Sequence, residues 1–205
     1  MRLADGIAAL GLSLPVGAEE KLAAYLALLV KWNKVYNLTA IRAPDEMVTH
    51  HLLDALAVLP EIEKSTPAGR RFSLADIGSG AGLPGLVLAI ARPGWAVASV
   101  EAVEKKAAFQ RQAVIELQLA NVSIHCRRVE GVHDGFDAVI SRAFASLADF
   151  VGMAGHLADT LWAMKGGYPA DEIAALPPGW CVAASHRLVV PGLDAERHLL
   201  QLEKN

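Results

Sequence analysis

The run Leu74-Ala75-Asp76-Ile77-Gly78-Ser79-Gly80-Ala81-Gly82-Leu83-Pro84-Gly85 decides the fold. The apolar stretch from Phe72 to Ile77 has the length of a buried strand and leads straight into glycines. A helix then starts at Pro84 and continues through apolar residues to Ala91, where Pro93 and Gly94 stop it. Strand, glycine turn and helix in this order bring free N–H groups and the positive end of a helix to the carboxyl end of a strand. Nucleotides bind at that position in open α/β sheets.

Toward the C-terminus the alternation continues. Strands are predicted at Ala96 to Glu101, Val122 to His125, Phe136 to Ile140 and Thr160 to Met164. Between them lie helices at Val103 to Leu119, with Phe109, Gln112, Ile115 and Leu119 on one face, and at Leu147 to Leu157. Such a pattern implies a mostly parallel sheet with helices on both faces. The end differs. Trp180 to Val190 and Arg197 to Leu202 both read as strands, and the link holding Pro191, Gly192 and Asp194 is too short for a helical crossover. The last two strands should therefore be antiparallel.

Toward the N-terminus the chain reads as helical. A short helix and turn come first. From Glu19, Leu22, Tyr25, Leu26, Leu29, Val30 and Val35 approximate one face, with Lys31 and Lys34 on the polar side. A further helix starts at Pro44, carrying Met47, Val48, His51, Leu52, Ala55, Leu56 and Leu59 as its stripe. Pro60, Pro67 and Gly69 mark a boundary. The expectation is a helical extension over 1–68 on a core of 69–205, the whole forming one globular unit.

Composition sets limits. The 205 residues include 19 Lys plus Arg and 22 Asp plus Glu, a formal net charge of −3, and 53% are hydrophobic. A disordered chain and a strongly basic nucleic-acid binder are both excluded. Any nucleic-acid partner must be held by a local patch. The longest stretch free of charged residues, Ile77 to Ala91, is 15 residues and glycine-rich, too short to span a bilayer. Cys126 and Cys181 lack partner spacing, which fits a reduced, cytoplasmic setting without disulfides or a zinc cluster.

Two nucleotide signatures overlap in the glycine loop. Gly80, Gly82 and Gly85 fit the G-x-G-x-x-G dinucleotide fingerprint, with Glu101 19 residues after Gly82. The same segment fits Asp-x-Gly-x-Gly-x-Gly from Asp76 to Gly82, which resembles the first motif of S-adenosylmethionine methyltransferases. In either reading Glu101, an acceptor-only group, suits a pair of ribose hydroxyls. His50 and His51 are adjacent and point about 100° apart on a helix, which does not suit a shared metal, and His51 reads as a satisfied core histidine. Ser141 and Ser146 lack a nucleophile-elbow setting. Arg70-Arg71, Lys105-Lys106 and Arg127-Arg128 are basic pairs on solvated faces or at an RNA. Arg142, after the fourth strand, and Lys165-Gly166, after the fifth, fall on the ligand side of the sheet.

Across nearly its whole length the chain resembles one family. The residues that carry the resemblance are Lys31-Trp32-Asn33-Lys34-Val35-Tyr36-Asn37-Leu38-Thr39, His51-Leu52-Leu53-Asp54, the loop from Asp76 to Gly85, Ser141-Arg142-Ala143-Phe144-Ala145-Ser146-Leu147, Lys165-Gly166, Val190-Pro191 and Glu196-Arg197-His198-Leu199. They are similar to the bacterial 16S rRNA methyltransferase G family, also called glucose-inhibited division protein B. The resemblance implies a Rossmann-like class I methyltransferase fold. It also implies transfer of the methyl group of S-adenosylmethionine to N7 of a guanine in 16S rRNA, leaving S-adenosylhomocysteine. Cofactor contacts would fall at Gly78, Leu83, Val129, Glu130 and Arg142, with Glu101 on the ribose where many relatives have aspartate; Gly80 is added on geometry. Arg142 and Lys165 are candidate substrate contacts. Guanine N7 has a free lone pair and no proton, so neither a general base nor a metal is expected. The partner would be the small ribosomal subunit or its precursor, met by a cytoplasmic monomer. A nicotinamide-dependent reductase and a non-catalytic RNA-binding module are the rival readings.

Overall fold

The computed structural model describes residues 1–66, 71–142 and 144–205. In chain order the elements are α1 (Leu3–Ala9), α2 (Ala18–Tyr36), α3 (Pro44–Met47), a π-helical segment (Val48–Leu53), α4 (Asp54–Leu56), α5 (Leu59–Ser65), β1 (Ser73–Ile77), α6 (Gly85–Ala91), β2 (Ala96–Val100), α7 (Glu104–Glu116), β3 (Val122–His125), a 3-10 turn (Val129–Gly131), β4 (Ala138–Ser141), α8 (Leu147–Ala154), β5 (Thr160–Lys165), α9 (Ala170–Ala174), β6 (Trp180–Arg187) and β7 (His198–Lys204).

The seven strands form one sheet in the order β3-β2-β1-β4-β5-β7-β6. The first five are parallel, and β7 runs antiparallel to both β5 and β6. That is the expected Rossmann-like layout with its antiparallel strand near the end. It departs from the 3-2-1-4-5-6 order of dinucleotide-binding sheets. From central β1 the chain winds outward through β2 and β3, then returns to β4. The crevice for a ligand therefore opens beyond the carboxyl ends of β1 and β4.

Alternation along each strand feeds two cores. On one face Leu74, Val97, Ile140 and Trp162 pack with α6, α7 and the N-terminal helices. Ala75, Ile77, Val100, Val139 and Leu161 face the other way, against Leu147, Phe150 and Val151 of α8. Helices thus cover both faces. The N-terminal helices share one continuous core with the sheet, and the expected boundary after residue 68 falls outside the described residues, as do Arg70 and Ala143.

Several sequence expectations need correction. Pro60 does not end a helix; it occupies the first turn of α5, where its missing N–H costs nothing. The face of α7 is rotated: Ala107, Phe109, Gln110 and Ala113 are buried, while Ile115 is 70% exposed. Small residues, not the largest apolar ones, permit the close approach of α7. On α2, Val35 is likewise 70% exposed, and the buried line runs through Leu22, Tyr25, Leu28, Leu29 and Asn33. Strand β6 stops at Arg187 and does not reach Val190, because the chain turns there, with Leu193 N–H on Val190 O.

Candidate functional site

The glycine loop turns as its composition demands. Gly78, Gly80 and Gly82 adopt φ of 67°, 60° and 83°, a region that side chains strongly disfavour. Gly85 has a different reason to be glycine, since a Cβ there would lie 2.8 Å from Asp76 Cβ. The N–H groups expected to be free are largely taken. Gly80 N–H donates to Glu101 Oε2 at 2.8 Å, and Gly85 N–H to Asp76 Oδ2 at 2.7 Å. Gly78 N–H goes to Val100 O and Leu83 N–H to Ser79 O, both at 2.9 Å. The loop thus carries two carboxylates of its own where a pyrophosphate would need donors.

Two buried side chains fix the loop from below. Gln110 of α7 donates through Nε2 to Gly80 O and to Ser79 Oγ, each at 2.8 Å. Ser99 of β2 donates to Gln110 Oε1 at 2.6 Å and sits 2.7 Å from Ser79 Oγ. Tyr25 of α2 holds the loop from the side, its hydroxyl donating to Ala81 O at 2.7 Å. Burial drives its pKa well above the ordinary phenol range.

A cleft of about 180 Å³ opens beside this loop, bordered by Gly78, Glu101, Val129, Glu130, Phe144 and Met153, with exposed Arg127 and Arg128 at its outer wall. Four of the expected cofactor residues, Gly78, Glu101, Val129 and Glu130, therefore meet at one place. Glu101 is 6% exposed and accepts one backbone N–H on each oxygen, from Gly80 and Val103, both at 2.8 Å. Each oxygen keeps a second lone pair, so the carboxylate is a fixed acceptor for two further donors. Leu83 is elsewhere, its side chain buried in the larger core.

Asp76, at the foot of the loop, is fully buried, and its Oδ1 has no partner among the described residues. Burial pushes its pKa up to about 7, against the Gly85 hydrogen bond and the Arg142 charge, which pull it down; Glu101 adds to the rise. A buried acceptor without a donor suits a cationic ligand.

Arg142 opens onto a second cavity. This basic pocket, about 330 Å³, is bordered by Thr39, His50, His51, Asp54, Arg142, Lys165, Gly166, Arg197 and His198, among others. The loop after β4 separates the two cavities: Arg142 borders one and Phe144 the other. Asp54, whose side chain is 3% exposed, accepts from Arg197 Nε at 2.9 Å and Arg142 Nη1 at 3.3 Å. Arg142 Nη1 also donates to His50 O at 3.1 Å. Lys165 is engaged otherwise: its ammonium lies 3.2 Å from Phe144 O and 2.7 Å from Glu172 Oε2, bracing the separating loop.

The N-terminal helices supply the far wall. Asn33, buried on α2, accepts from Thr39 N–H at 2.9 Å and donates to Ile41 O at 3.2 Å, which shapes the 37–41 loop. Thr39 Oγ1 in turn lies 2.9 Å from His51 Nε2. His51 is buried as expected but only half satisfied, since its Nδ1 has no partner among the described residues. Burial, then the Arg142 charge, lower its pKa to about 4, so the ring is neutral. Ser141 donates to Ile77 O and Ser146 caps α8, both structural tasks.

Asp54, Arg197 and His198, which border the second cavity, and the Ser79–Ser99–Gln110 set beneath the loop were not among the expected site residues. Gln110 had a detectable signal, being the polar member of the stripe Ala107, Gln110, Ala113. Asp54 and Arg197 had none until the resemblance marked their segments. Among the described residues no group of three or more His, Cys, Asp or Glu side chains could hold a metal ion, and no helix is long and apolar enough to cross a membrane.

Comparison with known proteins agrees with this geometry. Among solved structures, the chain superposes on TrmN from Thermus thermophilus with a TM-score of 0.57 at 19% identity, covering 77% of this chain and 53% of that one. It superposes on magnesium protoporphyrin IX methyltransferase from Synechocystis PCC 6803, determined with bound SAH, with a TM-score of 0.56 at 13% identity, covering 88% and 100%. These likenesses establish the Rossmann-like methyltransferase fold. Sequence relatives are far nearer. Ribosomal RNA small subunit methyltransferase G of Azoarcus sp. (strain BH72) is 59% identical over 99% of this chain and 95% of its own length. The same-named protein of Aromatoleum aromaticum is 55% identical over 99% and 98%. The family model described as rRNA small subunit methyltransferase G matches residues 18–200, and the chain therefore belongs to the rRNA small subunit methyltransferase G family.

Proposed function

We propose that the protein transfers the methyl group of S-adenosylmethionine to N7 of a guanine in 16S rRNA. Family membership supports rRNA methylation, and the glycine loop supports the cofactor. With Glu101 and Asp76 on its N–H groups, the loop suits a ligand that is cationic and rich in hydroxyl donors, and repels a pyrophosphate. Glu101 would take the two ribose hydroxyls. Gly78 and Gly80 would allow close approach of the ligand, with Val129 and Glu130 beside the adenine. Asp76 Oδ1 would receive the ammonium of the amino-acid end near Arg142, ionising fully as that charge arrives. Leu83 would shape the loop from within the core and not touch the ligand through its side chain.

The bound cofactor supplies an electrophilic methyl on a sulfonium. Guanine N7 attacks with its own lone pair, so the protein has no proton to remove. Its task is alignment and exclusion of water. Neither His51, whose pKa is lowered to about 4, nor Asp76, held against the cofactor's ammonium, would therefore serve as a base. Arg142, at the junction of the two cavities, would position the reactants. The RNA would be met within the small subunit or its precursor, by a cytoplasmic monomer.

The test is a transfer assay. Small subunits lacking the modification, and naked 16S rRNA, are incubated with protein and methyl-labelled S-adenosylmethionine, then digested to nucleosides. Label in 7-methylguanosine at a single site is the expected result. Bound cofactor with no labelled 7-methylguanosine from either RNA would refute the proposal.

A further inference from the structure

The loop between the two cavities has few apolar anchors of its own. Of residues 144–147 only Leu147 is buried, and the Phe144 ring stacks on Phe150 of α8 with centroids 5.0 Å apart. Its backbone is held by polar ties from the segment that follows β5. Lys165 Nζ lies 3.2 Å from Phe144 O and 3.4 Å from Ala145 O. It also donates to Glu172 Oε2 at 2.7 Å. An ammonium has three N–H groups, so these three acceptors use them all. Lys165 has no donor left over for a substrate.

Glu172 has a second partner on the same oxygen. Oε2 accepts from Leu147 N–H at 2.8 Å, one of the donors that the first turn of α8 leaves without an intrahelical acceptor. One carboxylate thus ties down both ends of 144–147: Leu147 directly, and Phe144 and Ala145 through the lysine. Two neutral carbonyls alone hold a lysine weakly against water; the charge of Glu172 keeps the ammonium over them. The pair is sheltered, with the Lys165 side chain 12% and that of Glu172 28% exposed. Yet Glu172 stands on α9, a helix of five residues, none of them buried. Its bonds go to the loop and not into either core.

We propose that Glu172 is a positioning residue for methyl transfer, keeping the Lys165 ammonium on the carbonyls of Phe144 and Ala145 and so fixing the loop from which Arg142 and Phe144 face their two cavities. The inference rests on the proposed methyl transfer and adds to it a pair of side chains that act through the loop. Phe144 borders the cleft beside the glycine loop and Arg142 borders the second cavity, so a shift of this loop moves both walls at once. Alignment of the reacting atoms tolerates little: a misplacement of about 1 Å can cost on the order of 10²-fold in rate. The Glu101 bonds and the Asp54 clamp do not involve the pair. Loosening the loop should therefore lower kcat and leave the affinities of both ligands nearly as they were.

The experiment is a mutant cycle on the whole protein, with kcat read as total label passed from methyl-labelled S-adenosylmethionine to unmodified small subunits. Glu172→Gln keeps an oxygen for Leu147 N–H and removes the charge that holds the lysine. It should lower kcat at least about fivefold, with the S-adenosylhomocysteine dissociation constant and the KM for RNA each within about twofold of the parent. Lys165→Met should lower kcat at least as much. The double variant should match Lys165→Met within about twofold, because the carboxylate acts through the lysine. Hydrogen exchange guards against a folding artefact: amides of 144–147 should exchange faster in both single variants, while those of β1 and β4 keep the parent's rates. An unchanged kcat in Glu172→Gln would overturn the inference, as would losses that multiply in the double variant or unchanged exchange in the loop. So would a raised KM for RNA in Lys165→Met, the mark of a lysine that touches RNA itself. Failure of the proposed function looks different: the label then sits on a nucleoside other than 7-methylguanosine, and the cycle is read as before.

Discussion

The two cavities on either side of the loop after β4 are assembled in opposite ways. The cleft beside the glycine loop is built from neighbouring turns of one winding unit, and its defining bonds join residues 21 apart, Gly80 to Glu101, and 31 apart, Ser79 to Gln110. The basic pocket is tied together by Asp54, whose bonds reach 88 residues to Arg142 and 143 residues to Arg197. One site is mostly local and sheet-borne, with Tyr25 reaching its loop from α2, and the other is built directly on the N-terminal helices. Damage to the first should weaken a ligand; damage to the second should weaken the fold as well.

The largest effect should come from Asp54→Ala. Removing a buried carboxylate between two arginines leaves uncompensated charge and costs on the order of 3 kcal/mol. For a chain of this size that is a fall in Tm of roughly 6–12 °C by calorimetry, together with a raised KM for RNA. A Tm within about 2 °C of the parent would mean that the clamp does not join the two halves.

Glu101→Gln sharpens the contrast from the other side. An amide cannot accept on both arms, so Gly80 or Val103 loses its acceptor. S-adenosylhomocysteine should bind at least about tenfold more weakly in a titration, with little change in the KM for RNA. Gln110→Leu acts one layer deeper. Losing Nε2 and Oε1 leaves buried hydroxyl and carbonyl groups unpaired beneath the loop, at about 1–3 kcal/mol, a Tm lower by roughly 2–12 °C.

The smallest effect is a slope. Between pH 4 and 6.5 the unfolded chain protonates His51 while the folded one keeps it neutral, so this residue makes stability rise with pH. Between pH 3.8 and about 7 the folded chain holds a proton on Asp76 that the unfolded one has lost, so this residue makes stability fall with pH. The two oppose each other over most of that window. Asp76→Asn should steepen the rise from pH 4 to 6.5 in denaturant titrations, and His51→Gln should turn it into a decline. Unchanged slopes in both variants would remove the two groups from the balance.

This contrast also governs what the sequence made legible. Short apolar runs, glycine turns and a short final link were enough to set out every strand of the sheet and its antiparallel ending, because those signals are local. Gly78, Glu101, Val129 and Glu130 were placed through the same winding unit and the resemblance, and the fold brings them together. Leu83 and Lys165 show the limit. One turns into the core, the other onto Phe144 O and Glu172, and side-chain direction in a loop is settled by packing that no spacing reveals. Asp54 was visible only as one residue of a resembling segment. Its two partners lie far along the chain, one just after β4 and one just before β7, and the π-helical segment before it disrupts the 3.6-residue period that would have assigned it to a face. The same preference for large apolar residues misplaced the face of α7, where Gln110 and two alanines make the contact.

The most direct test measures two quantities on two variants: the dissociation constant for S-adenosylhomocysteine and the KM for small-subunit RNA, each for Glu101→Gln and Arg197→Gln. Two separate cavities predict a crossed pattern, with the first variant losing cofactor affinity at near-normal KM for RNA and the second the reverse. If both variants shift both quantities together, the cavities are one site and the division drawn at the β4–α8 loop is wrong.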